Sequence, residues 1–289
     1  MKYEFVKQHR RQWSVQHMCR VLGVSPSGYY SWGCRPVSQQ ARANRQLVKQ
    51  IKRIHQASRA TYGSRRIHAE LVEQGHPCGH NRVARLMRQH GIRAKHRRRR
   101  RRTTIRDGRH PVAPNRLDRQ FEAIAPDRKW VTDISYIHTS EGDLYLAIVL
   151  DLYSRKVVGW SMAARMGVEL TLSALQMALR QRRPAAGLLH HSDRGSQYTA
   201  QLYQDLLKQQ RCQVSMSGKG NCYDNAPIES FFGTLKTELV YHQHYQTRSE
   251  ARTDIFRYIE TFYNRRRRHS ALGYQSPEQF EQAFYQSLN

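Results

Sequence analysis

Three acidic residues spread widely along a 289-residue chain, Asp133, Asp193 and Glu229, are the side chains best suited to do chemistry. Carboxylates with no His or Cys cage beside them suit hard, oxygen-seeking cations, and Mg²⁺ in particular keeps positions open for phosphate oxygens and water. Two such ions, about 3.5–4 Å apart, activate a hydroxyl on one side of a phosphate and stabilise the leaving oxygen on the other. Lys236 follows Glu229 by seven residues. At about 3.6 residues per turn that offset returns to the same helix face, where a lysine would grip a nucleic-acid backbone. Each acid also has a plainer reading: Asp193 as a turn former, Asp133 as an exposed strand acid, Glu229 as a helix-start carboxylate favoured by the macrodipole. Their combination is what points to phosphate chemistry.

Positioning such residues requires a scaffold, and from Lys129 onward the periodicity supplies one. Residues 129–138 alternate around Val131, Ile134 and Ile137, 144–150 form an apolar run, and 156–162 read as a third strand. Helical spacing follows at 169–182 (Leu172, Leu175, Met177, Leu179), a short strand at 188–191, a helix at 200–208 and a fifth strand at 212–216. This order predicts an α/β fold with a mixed five-stranded sheet. Asp133 then sits within the first strand, Asp193 follows the fourth and opens a turn, and Glu229 lies on a helix begun after Pro227.

The first half of the chain differs in kind. Residues 1–110 hold 27 Lys or Arg against Glu4, Glu70, Glu73 and Asp107, whereas the rest is nearly balanced. Val15, Met18, Cys19 and Leu22 have helical spacing, Gly23 ends that helix, and Ser25-Pro26 opens another, a helix-turn-helix pattern assigned to 1–40. A second all-α pair occupies 41–95. Ser64 caps a helix with Ile67, Leu71 and Val72; the next carries Val83, Leu86 and Met87, stops at Gly91, and turns Arg82, Arg85, Arg88 and Gln89 to its polar side. Such a bundle is either a plain helical domain or a DNA-binding one, and Arg82 and Arg85 are candidate contacts. Residues 96–122 read as a basic linker, in which Arg97, Arg98, Arg99, Arg100, Arg101 and Arg102 either form a self-repelling tether or neutralise phosphates. The remaining segment, 123–289, is the catalytic core with a helical extension.

The overall charge of +27, from 49 Lys or Arg and 22 Asp or Glu, directs the chain to polyanions. The longest apolar run, 144–150, is seven residues, far short of the ~20 that span a bilayer. Residues 1–12 contain no secretory core, so an intracellular protein is expected. Five scattered cysteines include no Cys-x-x-Cys pair, and His76-Pro77-Cys78-Gly79-His80 is too tightly spaced for a tetrahedral zinc site. A glycosidase with paired carboxylates has no use for such charge.

Several blocks carry a resemblance. They are Trp130-Val131-Thr132-Asp133-Ile134, Asp151-Leu152-Tyr153-Ser154-Arg155, His191-Ser192-Asp193-Arg194-Gly195-Ser196-Gln197-Tyr198, and the segment 225–236. In the tail, Tyr263-Asn264, Arg268-His269, Leu272-Gly273-Tyr274 and Pro277 complete the set. Through them the chain resembles IS3-family insertion-sequence transposases, the long second-frame product, whose core is similar to that of retroviral integrases. The 35 residues between Asp193 and Glu229 match the family's D-D-35-E spacing, and Lys236 falls on its basic position.

The resemblance implies an RNase H-like core, Asp133, Asp193 and Glu229 as ligands of two Mg²⁺ or Mn²⁺ ions, and metal-dependent 3′-end cleavage followed by strand transfer. The substrate implied is double-stranded DNA, both element terminal inverted repeats and target. A homo-oligomer is implied, as is an upstream-frame product or a fusion with it, because no heptads follow Met1. Tyr198, Tyr223 and Asn225 flank the acids and either touch DNA or serve as packing and turn residues. Arg268 and His269, in a basic run after the amphipathic Ile255, Ile259, Phe262 and Tyr263, either contact phosphate or end a helix in solvent. Two other readings remain: an RNase H-like nuclease without strand transfer, and a non-catalytic helix-turn-helix regulator.

Overall fold

A computed structural model describes residues 2–95, 113–218 and 222–288. Three short helices come first: α1 (Lys2–His9), α2 (Val15–Val21) and α3 (Pro26–Cys34). Ser14 and Ser25 cap α2 and α3 by accepting from the His17 and Gly28 backbone N–H groups, which satisfies donors the helix itself cannot. Val6, Met18, Cys19 and Tyr29 close a small core. Helix α1 goes beyond the expected pair.

The next unit is built on α4 (Gln39–Ala57), with α5 (Ser64–Glu73) and α6 (His80–Gln89) packed against it. Helix α4 is not evident in the sequence, because its Gln- and Arg-rich surface hides a single stripe, Leu47, Val48, Ile51 and Ile54, that meets Ile67, Leu71, Val83, Leu86 and Met87. Helix α5 starts one residue earlier than expected, with Gly63 at its N-cap, because the Ser64 hydroxyl bonds the His80 ring at 3.0 Å. Val72, expected inside, is exposed on α5.

The core sheet has five strands in the order β3-β2-β1-β4-β5, formed by β1 (Lys129–Ile137), β2 (Leu144–Asp151), β3 (Val157–Ala163), β4 (Leu189–Ser192) and β5 (Gln213–Met216). β1, β2 and β3 pair antiparallel, while β1–β4 and β4–β5 are parallel. Alternation along each strand sorts its residues between two layers. Trp130, Ala147, Val149 and Val158 meet α7 (Val168–Arg182), α8 (Ser196–Thr199) and α9 (Gln201–Gln209). Val131, Ile137, Leu146 and Ile148 share a core with α10 (Ala226–Glu238), α11 (Arg248–Arg257) and the π-helical turn Tyr258–Tyr263. A last helix, α12 (Pro277–Gln286), is tied back by Arg182, which pairs with both Asp127 and Glu281.

The helical unit does not hang from a tether. Its core is continuous with that of α10 and α11. The Tyr62 hydroxyl donates to the Arg266 carbonyl at 2.9 Å and accepts from the Arg268 N–H at 2.8 Å. The end of the expected linker also belongs to the core: Leu117 is buried, and Ser215 Oγ accepts from the backbone of Arg116 and Leu117. Among the described residues no helix is long and apolar enough to cross a membrane.

One contact fixes how closely α7 approaches the sheet. A Cβ at Gly159 would stand 2.7 Å from Ala178 Cβ and 2.8 Å from its backbone N, leaving only rigid atoms to yield. Gly159→Ala is expected to destabilise the protein by about 1–3 kcal/mol through overpacking. A parent-like thermal midpoint would show that α7 has room to move.

Candidate active site

Asp133 and Asp193 are brought level by strand register. β1 and β4 pair in parallel at Lys129↔Leu189, Trp130↔His190 and Val131↔His191. The same offset carried two residues further sets Asp133 beside Asp193, just beyond the end of β4 at Ser192. Neighbouring strands stand about 4.8 Å apart, so two carboxylates so placed are near neighbours. Each is held by backbone: Asp133 Oδ1 accepts from the Ile134 N–H at 2.8 Å, and Asp193 Oδ1 from the Gly195 N–H at 2.9 Å, the turn the sequence suggested.

Glu229 arrives from the layer above. Asp133 shares the strand face of Val131 and Ile137, which α10 covers. Helix α10 buries Ile228, Phe231, Phe232 and Leu235 against that face and leaves Glu229 exposed at its first turn. Lys236, two turns on, lies with its ammonium 4.9 Å from the centre of the Tyr136 ring.

The Asp133 carboxyl feels the charges of both Asp193 and Glu229. Asp133 keeps some exposed surface but its carboxyl is enclosed, and its pKa rises to about 8 through burial, then through the Asp193 charge; the Ile134 N–H and Lys236 pull it down, while Glu229 adds to the rise. Crowded carboxylates of this kind, with no other ligand type, fit a divalent cation, because a cation relieves the repulsion that the proton now relieves. Among the described residues, no three His, Cys, Asp or Glu side chains are drawn together tightly enough to hold an ion as they stand. His190 and His191, by contrast, are kept neutral by burial, with pKa values lowered to about 3 and about 4. They bond Tyr203 and Ser215 rather than serving as bases.

The expected DNA contacts separate into groups. Arg85 is exposed on α6, whereas Arg82 donates to Asn44 Oδ1 at 2.8 Å and ties α6 to α4. Tyr198 is buried beside Thr132, and Asn225 is buried next to His191, so both are packing residues in this structure. Arg268 is buried between Glu70 and Glu73 of α5, and His269 packs on the Tyr263 ring with its pKa well lowered by burial. Both belong to the junction between helical unit and core, where ion pairs hold the basic run. Arg97, Arg98, Arg99, Arg100, Arg101, Arg102 and the Tyr223 side chain lie outside the described residues.

Two residues escaped the sequence reading. Buried Asp224 accepts from Asn115 Nδ2, Arg119 Nε and the Gly218 N–H, so it ties the approach to α10 onto the segment before β1. Buried Glu238 accepts from Arg267 at 2.8–3.1 Å and from the Tyr258 hydroxyl at 2.7 Å. A carboxylate on the apolar side of a helix was the available signal for Glu238; Asp224 stood within the block that carries Glu229.

The raised Asp133 pKa has a pH consequence. In chelator, the folded state retains a proton that the unfolded chain loses at ordinary carboxylate pH, so this group's contribution to stability falls as pH rises from about 4 to about 8. Thermal midpoints of the parent should therefore decline relative to Asp133→Asn across that window, and Mg²⁺ should recover the parent selectively. Parallel midpoint curves for the two proteins would remove the basis for convergence.

Comparisons agree with this architecture. Residues 123–222 and 229–285 each match an Integrase core domain family, and 42–100 match an HTH-like domain. The chain is 49% identical to an "Insertion element IS600 uncharacterized 31 kDa protein" of Shigella sonnei, over 93% of this chain and 99% of the relative. It is 44% identical to "Transposase InsF for insertion sequence IS3A" of Escherichia coli (strain K12), over 97% of this chain and 98% of that one. A solved simian T-cell lymphotropic virus intasome, in complex with PP2A regulatory subunit B56 gamma, is similar at TM-score 0.48 and 14% identity, covering 80% of this chain and 74% of the other. With a helix-turn-helix-like unit ahead of an integrase core, and such identity across almost its whole length, the chain belongs to the IS3 family of transposases.

Proposed function

We propose that this transposase cleaves DNA at the 3′ ends of an insertion sequence and joins the exposed hydroxyl to target DNA, with Asp133, Asp193 and Glu229 holding two Mg²⁺ or Mn²⁺ ions. The observation that carries this reading is the enclosed Asp133 carboxyl, burdened by the charges of Asp193 and Glu229 at the end of the sheet. Bound there, such ions would activate the attacking oxygen and offset charge at phosphorus.

The chain's own work is placement. Strand register presents Asp133 and Asp193 together, α10 brings Glu229 over them, and Lys236 holds the DNA backbone on the same side. With their pKa values lowered by burial to about 3 and about 4, His190 and His191 are weak proton acceptors, and rate comes from alignment and charge stabilisation. Double-stranded terminal repeats and target are held through the basic helical units, with Arg85 facing solvent on α6. Because two ends must meet, the active form is a homo-oligomer, working alone or with an upstream-frame product at the bacterial nucleoid.

Glu229→Gln and Asp133→Ala should each lower strand transfer from a pre-cut 3′ end by on the order of 10³-fold, while DNA affinity in chelator stays at the parent level. Gel analysis of labelled ends separates the outcomes. Joining by either variant in Mg²⁺ at the parent rate would overturn the assignment, and shortened but never joined DNA from the parent would make it a nuclease.

A further inference from the structure

Helix α10 carries Glu229 in its first turn and Glu238 at its end. At about 3.6 residues per turn the two carboxylates point to opposite sides, and at about 1.5 Å per residue they lie roughly 14 Å apart along the axis. Glu229 is exposed and Glu238 is buried, as that geometry requires. Ile228, Phe231, Phe232 and Leu235 hold the helix to the sheet, but apolar contact is non-directional and fixes axial position less sharply than polar bonds do.

Those bonds are concentrated at the C-terminal end. At the other end, among the described residues, Asn225 makes no side-chain capping bond and its buried Oδ1 meets no donor. The Glu238 carboxylate accepts from Arg267 and from the Tyr258 hydroxyl of the segment that follows. The helical unit adds two cations: Lys95 Nζ donates to the Glu238 backbone carbonyl at 3.0 Å, and Arg66 Nη1 stands 3.6 Å from the Glu238 carboxylate. The last four carbonyls of a helix have no partner within it. An ammonium placed there fills one of them and offsets the negative end of the helix dipole. The Thr237 carbonyl is met by His242 at 2.9 Å, from the turn just after the helix, whereas Lys95 reaches Glu238 from 143 residues earlier.

Resting on the reading of Asp133, Asp193 and Glu229 as metal ligands, we propose that Lys95, with Arg66 beside it, is a positioning residue for the metal site. It fixes the C-terminal end of α10 and thereby the placement of Glu229 over the two aspartates. The helix transmits the constraint as a rigid element, so the helical unit shapes the catalytic centre without supplying a ligand. The sign of the effect separates position from charge. Cations repel one another, so by charge alone the loss of Lys95 would tighten metal binding; by position it weakens it.

The test titrates Mn²⁺ into the full chain without DNA and follows the free ion by its electron paramagnetic resonance signal. The binding that disappears in Asp133→Asn reports the acidic site. Lys95→Met and Arg66→Met should each weaken that binding about fivefold. Lys95→Arg, which keeps the cation and the donor, should retain the parent affinity, as should Lys52→Met on the exposed face of α4.

Parent-like or tighter Mn²⁺ binding by Lys95→Met would overturn the proposal. So would equal weakening by Lys95→Arg, which would trace the loss to packing rather than to the bond at the helix end. Should Arg66→Met lose its cooperative thermal transition, the two Lys95 variants decide the matter by the same criteria. If the parent shows no Asp133-dependent binding, the metal reading fails and the proposal with it; a parent that binds beside an unaffected Lys95→Met overturns the positioning role alone.

Discussion

Gathering like charges is the constraint around which this molecule is built. Carboxylates repel one another, and the Asp133 carboxyl has its pKa raised first by burial and then by the Asp193 and Glu229 charges. No local segment can hold such a group together, since the acids are separated by tens of residues. The structure divides the task between backbone and packing. Parallel pairing of β1 with β4 fixes two of the acids without using their side chains, and four apolar residues of α10 press the third down from the opposite layer. The folding free energy of the sheet and its covering helices is thereby set against an electrostatic penalty beside its central strands, which a divalent cation is suited to relieve.

How far this was readable in advance depended on whether the deciding information was local. The alternation of Val131, Ile134 and Ile137 and the run around Ile148 report burial directly, so all five strands fall within a residue or so of the expected positions. The acids were expected from spacing, turn chemistry and a seven-residue helical offset, and strand register sets Asp133 level with Asp193, which opens the expected turn. Helix α4 was not: one narrow apolar stripe in a polar sequence becomes informative only when α5 and α6 exist to cover it. The fates of Tyr198 and Arg268 were equally hidden. An aromatic close to Asp193 in sequence reads the same whether it faces a ligand or Thr132, and a run of arginines gives no sign that Glu70 and Glu73, almost two hundred residues earlier, will be brought to meet it.

That meeting changes the meaning of the charge asymmetry. The basic first half looked like a separate anion-binding module joined by a tether. Instead α5 is fastened to the tail of the core through Tyr62, Glu70 and Glu73, and Arg66 and Lys95 both reach Glu238 at the end of the helix that bears Glu229. The helical unit and the integrase core are therefore joined by packed side chains and ion pairs rather than by a tether alone.

The Glu238–Arg267 pair has a further implication for how such a sequence can change over time. Both members are buried and satisfy each other through several bonds. Losing Glu238 alone would strand the buried Arg267 and deprive Arg66 of the same carboxylate, at a cost of about 3–5 kcal/mol, whereas Glu238 without Arg267 keeps the Tyr258 hydroxyl and Arg66 at 3.6 Å. Descendants of this chain are therefore expected to drift at the two positions in a fixed order, so that a glutamate near the end of the catalytic helix is inherited wherever the arginine some thirty residues later is.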